Sequence, residues 1–224
     1  MTNNSFWLAA FPEQKLKLAY RSLPLETVRM RLFVAVDLDE AIRARITQFL
    51  EGVRGFAPEA RWVHHESLHV TLKFIGERQE EEFEKIKKML ETVKAEGFDL
   101  NFRGCGYFPN SRGARVFWIG VESDGSLESL AASVDESLAR LGIPKEEHAF
   151  NAHLTLARSS AGSRAARKDK RKSTARTFQH LQEQLAVLPV PEFGTTTASE
   201  FFLYRSQLSS GGSKYAKLAR FALS

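Results

Sequence analysis

Two stretches of the chain repeat one pattern: His69-Val70-Thr71-Leu72 and, 84 residues later, His153-Leu154-Thr155-Leu156. Each lies in a run with the composition of a β-strand, HVTLKFIG at 69–76 and HLTLAR at 153–158. In a strand, residues i and i+2 point to the same face. His69 therefore shares a face with Thr71, and His153 shares one with Thr155. Val70, Leu72, Leu154 and Leu156 point the other way, into apolar cores. Each half of the chain offers one imidazole and one hydroxyl side by side.

That pairing suits displacement at a phosphodiester. In-line attack puts nucleophile and leaving oxygen on opposite sides of phosphorus, so a base serves one side and an acid the other. The ordinary pKa of histidine lets it take either role near neutral pH. Threonine hydroxyls donate to the non-bridging oxygens and share their charge. The scheme draws on no metal and no cofactor. One His-x-Thr alone is weak evidence, because strands are rich in threonine. Two copies, each followed by leucine and one in each half of the chain, are much harder to assign to chance.

The surrounding pattern predicts the elements that hold these strands. RLFVAVDL at 31–38 is a buried strand, and Asp39 starts a helix through Ile42, Ile46, Phe49 and Leu50 that Gly52 and Gly55 stop. Residues 61–75 are two strands around a turn at Glu66-Ser67, and 80–96 form a helix. Strands follow near 98–108 and 114–121. The second half repeats the scheme, with a helix over 126–141, a strand over 149–157 and a helix near 177–188. Two long strands at 195–205 and 214–223 close the chain, with Gly211-Gly212 as their hairpin turn. The spacing lacks the tight βαβ rhythm of a parallel sheet, so the fold class is antiparallel α+β.

Composition narrows the setting. With 43% hydrophobic and 26% charged residues, the 224-residue chain is neither disordered throughout nor collagen-like. The single Cys105 excludes an internal disulfide framework and an all-cysteine metal site. No apolar run nears the roughly 20 residues that cross a bilayer, so a cytoplasmic protein without membrane attachment is expected. Seven basic residues and one acid crowd 164–176, leaving the rest of the chain slightly acidic. Such a tract is either a site for an anionic partner or a solvated surface loop. Residues 1–29 read as an extension to a domain spanning 30–224, with Met30 as the natural start.

The chain resembles the two-histidine (2H) phosphoesterases with paired His-x-Thr-x motifs, specifically the RNA 2′,3′-cyclic phosphodiesterases also described as 2′-5′ RNA ligases. The likeness runs from Met30 to the C-terminus. It is carried by both motifs, RLFVAVDL at 31–38, RWV at 61–63, HVTLKFIGE at 69–77, GYFP at 106–109, RVFWIGVE at 115–122 and FFLYRSQLSSGGSKY at 201–215. The basic loop after Arg158, at about 159–176, is longer than is usual in that family.

The resemblance implies two similar lobes with antiparallel sheets facing across a central groove, one motif on each wall. It implies hydrolysis of an RNA 2′,3′-cyclic phosphate end to a 2′-phosphomonoester, tRNA fragments being one kind of substrate, with reversible 2′-5′ ligation as a related activity. By analogy His153 is the proton acceptor and His69 the proton donor, although two equivalent motifs leave that order open. Thr71 and Thr155 would bind phosphate oxygens. Arg158 stands where family members carry an arginine near the phosphate, and a guanidinium fork fits that role. Strict alternation puts Arg158 opposite His153, so the strand has to end or bulge first. Phe33 is a candidate to stack on a base, with core packing as its alternative. No metal, no cofactor and no obligate protein partner are expected, and the chain is expected to be a monomer.

Two other readings compete. One is an RNA-end-binding protein with incidental turnover; the other is a phosphodiesterase for small cyclic nucleotides or 2′-5′ oligonucleotides. His64 and His65 are adjacent and point apart in a strand, while His148 and His180 lack partners at ligand spacing, so none signals a metal site. Cys105 reads as a structural thiol.

Overall fold

A buried apolar run of five, Leu32 to Val36, gives β1 (Arg29–Asp37) the character of a central strand covered on both faces. The computed structural model describes residues 29–159, 177–209 and 212–224; residues 1–28 of the expected extension and 160–176 of the basic loop lie outside the described residues, and Arg29 already belongs to β1. After β1 come α1 (Glu40–Val53), β2 (Arg61–Trp62), β3 (His69–Gln79), α2 (Phe83–Leu90), β4 (Phe98–Phe108) and β5 (Val116–Glu122). Then follow α3 (Ser126–Ala139), β6 (His153–Arg158), α4 (Gln179–Leu185), β7 (Glu192–Ala198), β8 (Glu200–Ser209) and β9 (Gly212–Ala222). No helix among the described residues is long and apolar enough to cross a membrane.

All strand pairs are antiparallel, in the order β7-β4-β5-β6-β3-β1-β8-β9, with β2 alongside β6. The two expected lobes are the halves of this sheet. The first is β3-β1-β8-β9 and the second β7-β4-β5-β6; they meet at one residue pair, Val70 opposite Leu154. The helices cross between lobes. α1 packs on β7, where Arg45 Nη1 donates to the Phe193 carbonyl at 2.9 Å. α3 packs on β3, where the buried Lys73 ammonium reaches Asp135 at 2.5 Å and the Pro144 carbonyl at 2.6 Å. A buried cation tolerates that position because both partners replace its lost water.

Local chemistry explains most element ends. The Asp39 carboxylate accepts from the Ala41 N–H at 2.8 Å and caps α1, whose buried stripe is Ile42, Ile46, Leu50 and Val53. The helix expected over 80–96 is shorter. It ends at Leu90, where the Thr92 hydroxyl takes the Met89 carbonyl at 2.7 Å and competes with continued helix. The closing pair of strands is three strands. The chain leaves the second lobe with β7 and enters the first with β8 across Ser199, with no glycine or proline to mark the switch.

Candidate active site

Both motif strands contain the same backbone irregularity at the same place. Between β1 and β3, Val34 faces Lys73 and Ala35 faces Thr71, so Leu72 is the extra residue. Between β5 and β6, Phe117 faces Ala157 and Trp118 faces Thr155, so Leu156 is the extra residue. A β-bulge of this kind shifts the alternation by one. Leu72 and Lys73 are consequently both buried, as are Leu156 and Ala157. The sixth residue of each run, Phe74 or Arg158, returns to the face of its histidine and threonine. This resolves the parity conflict at Arg158.

Each imidazole is held by the same hydrogen bond. His69 Nδ1 donates to the Ser67 carbonyl at 2.7 Å, and His153 Nδ1 donates to the Asn151 carbonyl at 2.7 Å. A carbonyl only accepts, so in both neutral rings the proton sits on Nδ1 and Nε2 keeps its lone pair. The turn carrying Ser67 is clamped in turn by Arg43, whose Nη1 donates to the His65 and Leu68 carbonyls while Nη2 meets Asp37 at 2.6 Å. Asp37 also binds Lys217 at 2.5 Å. Sequence periodicity treats Arg43 as an exposed helix residue; nothing in its spacing announces this buried clamp.

The environments differ. Phe33, Tyr204 and Tyr215 surround the His69 ring, with centroids at 4.8, 6.0 and 5.1 Å. Burial among them, with help from the Arg158 and Arg43 charges, lowers its pKa from 6.5 to about 4 against the opposing pull of Ser67 and Asp37. His153 meets Phe108 edge-on at 4.8 Å and Trp118 at 6.3 Å. Its pKa is also lowered, by burial and then by Arg158. Trp118 fits because Gly106 opposite has no side chain; a Cβ there would lie 2.1 Å from the indole.

A cleft of about 390 Å³ joins residues from both lobes. His69, Thr71, Phe74, Arg31 and Tyr215 line it from the first lobe, Thr155 and Arg158 from the second. His153 lies outside that lining, on the strand face it shares with Thr155. Phe33 contributes to the wall but is only 3% exposed, stacked on Tyr204 at 5.0 Å and 7°. The structure thus gives Phe33 the core-packing role. Phe74, its register partner on β3 and 59% exposed, is the aromatic that sequence alternation hid. Applying the same bulge to both motifs would have found it.

The remaining candidates stay apart. No group of three or more histidine, cysteine, aspartate or glutamate side chains able to hold a metal occurs among the described residues. His65 supplies a carbonyl to Arg43, and His180 sits against Phe56 at 5.4 Å and Glu183 at 3.7 Å. Burial pushes the Cys105 thiol up to about 12, which leaves it inert.

Two imidazoles oriented alike, each beside a hydroxyl and with a guanidinium at the cleft, put proton carriers and anion donors together, a set that suits phosphate chemistry. The class is that of the phosphoesterases. A sequence model of the LigT like Phosphoesterase family matches the chain twice, over residues 36–118 and 119–215, one match per motif. The chain belongs to this family. An RNA 2′,3′-cyclic phosphodiesterase of Methanothermobacter thermautotrophicus is 32% identical over 198 residues, 88% of this chain and 100% of the relative. One from Archaeoglobus fulgidus is 43% identical over 129 residues, 58% of this chain and 72% of the relative. The structure of E. coli LigT complexed with 3′-AMP superposes with a TM-score of 0.68 at 28% identity, covering 88% of this chain and 99% of that one.

Proposed function

We propose that the chain is an RNA 2′,3′-cyclic phosphodiesterase that opens the terminal cyclic phosphate to a 2′-phosphomonoester by paired-histidine acid–base catalysis. The observation that carries this is the duplicated Nδ1–carbonyl bond, which leaves each Nε2 ready to exchange one proton. His153 Nε2 accepts a proton from water as the oxygen attacks phosphorus. The bond to O3′ breaks, and His69 Nε2 returns a proton to that oxygen. Thr71, Thr155 and Arg158 bind the non-bridging oxygens and stabilise the charge that gathers there.

Burial holds His69 neutral at pH 7. A bound phosphate anion supplies the opposite charge that draws a proton onto it, so the donor is armed by its own substrate. A 5′-hydroxyl in the place of water would form a 2′-5′ linkage by the same steps. Membership of a family whose relatives carry the cyclic phosphodiesterase name supports the RNA end as substrate.

The test is hydrolysis of a short RNA ending in a 2′,3′-cyclic phosphate, in chelator, with the product's phosphate position identified. A 2′-phosphate product that both His69→Ala and His153→Ala abolish is the expected result. Binding without turnover by the wild type would support an end-binding protein instead. Activity that survives either substitution would overturn the paired-histidine scheme.

A further inference from the structure

β1 and β5 each pair with a motif strand, and they end differently. In the second lobe β5 runs on past Gly120, the partner of His153, and the Val121 N–H donates to the Ala152 carbonyl at 3.4 Å. That bond ties down the turn that holds the ring. In the first lobe the chain leaves the sheet at Asp37, the partner of His69, and turns into α1. The Leu38 N–H, counterpart of Val121, is diverted to the Asp37 carboxylate at 2.8 Å. The Leu68 carbonyl, which precedes His69 as Ala152 precedes His153, accepts instead from Arg43 Nη1 at 3.4 Å. We propose that Arg43 is the positioning residue of the proton donor: its guanidinium replaces the missing strand and holds the Ser67 carbonyl where it orients His69. Its part in turnover rests on the phosphodiesterase reading above.

The guanidinium is used on every side. Nη1 meets the His65 and Leu68 carbonyls, which flank Ser67; Nη2 meets Asp37 at 2.6 Å and the Leu38 carbonyl at 3.5 Å; Nε faces Glu40 at 3.5 Å. Arg43 is only 8% exposed, and a buried cation is costly unless its donors are matched. The apolar stripe of α1 already packs the helix, so this charge serves something else. Its donors lie in one rigid plane, which fixes two carbonyls against one carboxylate; a single ammonium has no such fork. Asp37 carries the restraint onward. It meets Lys217 at 2.5 Å on β9, the strand that sets Tyr215 against the His69 ring. The orientation of the ring and one of its walls thus meet at one carboxylate.

Arg43→Gln and Arg43→Lys are compared with wild type. Arg45→Gln, which loses the contact of α1 with Phe193, is the control for general loosening. Proton–nitrogen correlation spectra of the free protein, taken where both rings are neutral, read the tautomer of each imidazole. Wild type should carry the proton on Nδ1 at both His69 and His153. In the Arg43 variants His69 should shift toward a mixture of tautomers while His153 stays as it is. Their kcat on an RNA 2′,3′-cyclic phosphate end should fall about tenfold to a hundredfold with KM nearly unchanged. Arg45→Gln should move neither tautomer. Arg43→Lys keeps a charge beside Asp37 and carries the same readouts if Arg43→Gln does not fold. An unmoved His69 tautomer, equal movement at both histidines, or a kcat no lower than that of Arg45→Gln would overturn the proposal. If wild type turns over no cyclic phosphate, the phosphodiesterase reading falls while the spectra still decide whether Arg43 orients His69.

Discussion

β3 and β6 bury the same positions of their first six residues and hold their histidines by the same hydrogen bond, yet His69 is boxed by three aromatic rings whereas His153 meets two at their edges. The backbone device was duplicated; the walls were not. Orientation and tuning are therefore set by different parts of the molecule. The carbonyl at i−2 fixes the tautomer in both lobes, while neighbouring side chains set how readily each ring takes a proton. Two rings oriented alike therefore differ in how readily each takes a proton.

The comparison breaks most visibly if either ring is removed. His69→Ala and His153→Ala should each cost about a hundredfold to ten-thousandfold in kcat, the usual worth of one positioned acid or base. Single-turnover hydrolysis of the cyclic phosphate measures it; a much smaller loss at one site would show that the lobes are not equal partners.

Arg158 comes next. Arg158→Ala should lower kcat/KM about a hundredfold, as loss of one preorganised group at a developing charge does. Arg158→Lys should recover little, because a point charge does not reproduce a two-pronged fork. Full recovery by lysine would reduce the role of Arg158 to long-range attraction.

The pH dependence separates the two rings. A donor lowered to about 4 gains protonated fraction as pH falls, and an acceptor lowered below 6.5 stays neutral until that lower value is crossed. kcat/KM, which reports the free protein, should therefore rise about tenfold for each unit from pH 8 down to 6.5 and turn over only below it. Its optimum lies on the acid side of 6.5. The kcat optimum should lie at higher pH, because bound phosphate charges His69. Coincident optima would contradict arming by substrate.

Gly106→Ala sharpens the contrast at lowest cost. The added methyl lies 2.1 Å from the Trp118 ring, so the indole beside His153 has to move. A stability loss of about 1–3 kcal/mol is expected by denaturant unfolding, with activity reduced only a few-fold. A shift in the acid limb of kcat/KM without change in the His69 environment would tie Trp118 to the tuning of His153.

Much of this site is visible in the sequence because its chemistry is encoded by short-range parity: His69 with Thr71, and His153 with Thr155. Arg158 is visible only to a reader who allows a bulge, and Phe74 is lost to one who does not, because alternation counts both onto the wrong face. The antiparallel α+β class and most elements follow from period and caps. The exchange of helices between lobes, the strand switch at Ser199 and the Arg43 clamp leave no local mark. Each is decided by partners more than a hundred residues away or by a side chain that turns inward from an ordinary helical position, as with Arg45 and Phe193 or Arg43 and Asp37.

The strand switch at Ser199 has a consequence for how the molecule is made. Until β8 emerges, β1 is paired on one side only and exposes an edge of this apolar strand, and until β7 emerges, α1 lacks the strand on which it packs. Neither lobe can be finished by the residues that begin it. A growing chain therefore carries two incomplete edges through most of its synthesis, which is the state most prone to sticking to other chains. His69 acquires Tyr204 and Tyr215 only from the late strands β8 and β9, whereas Phe108 and Trp118, which flank His153, precede it in the chain.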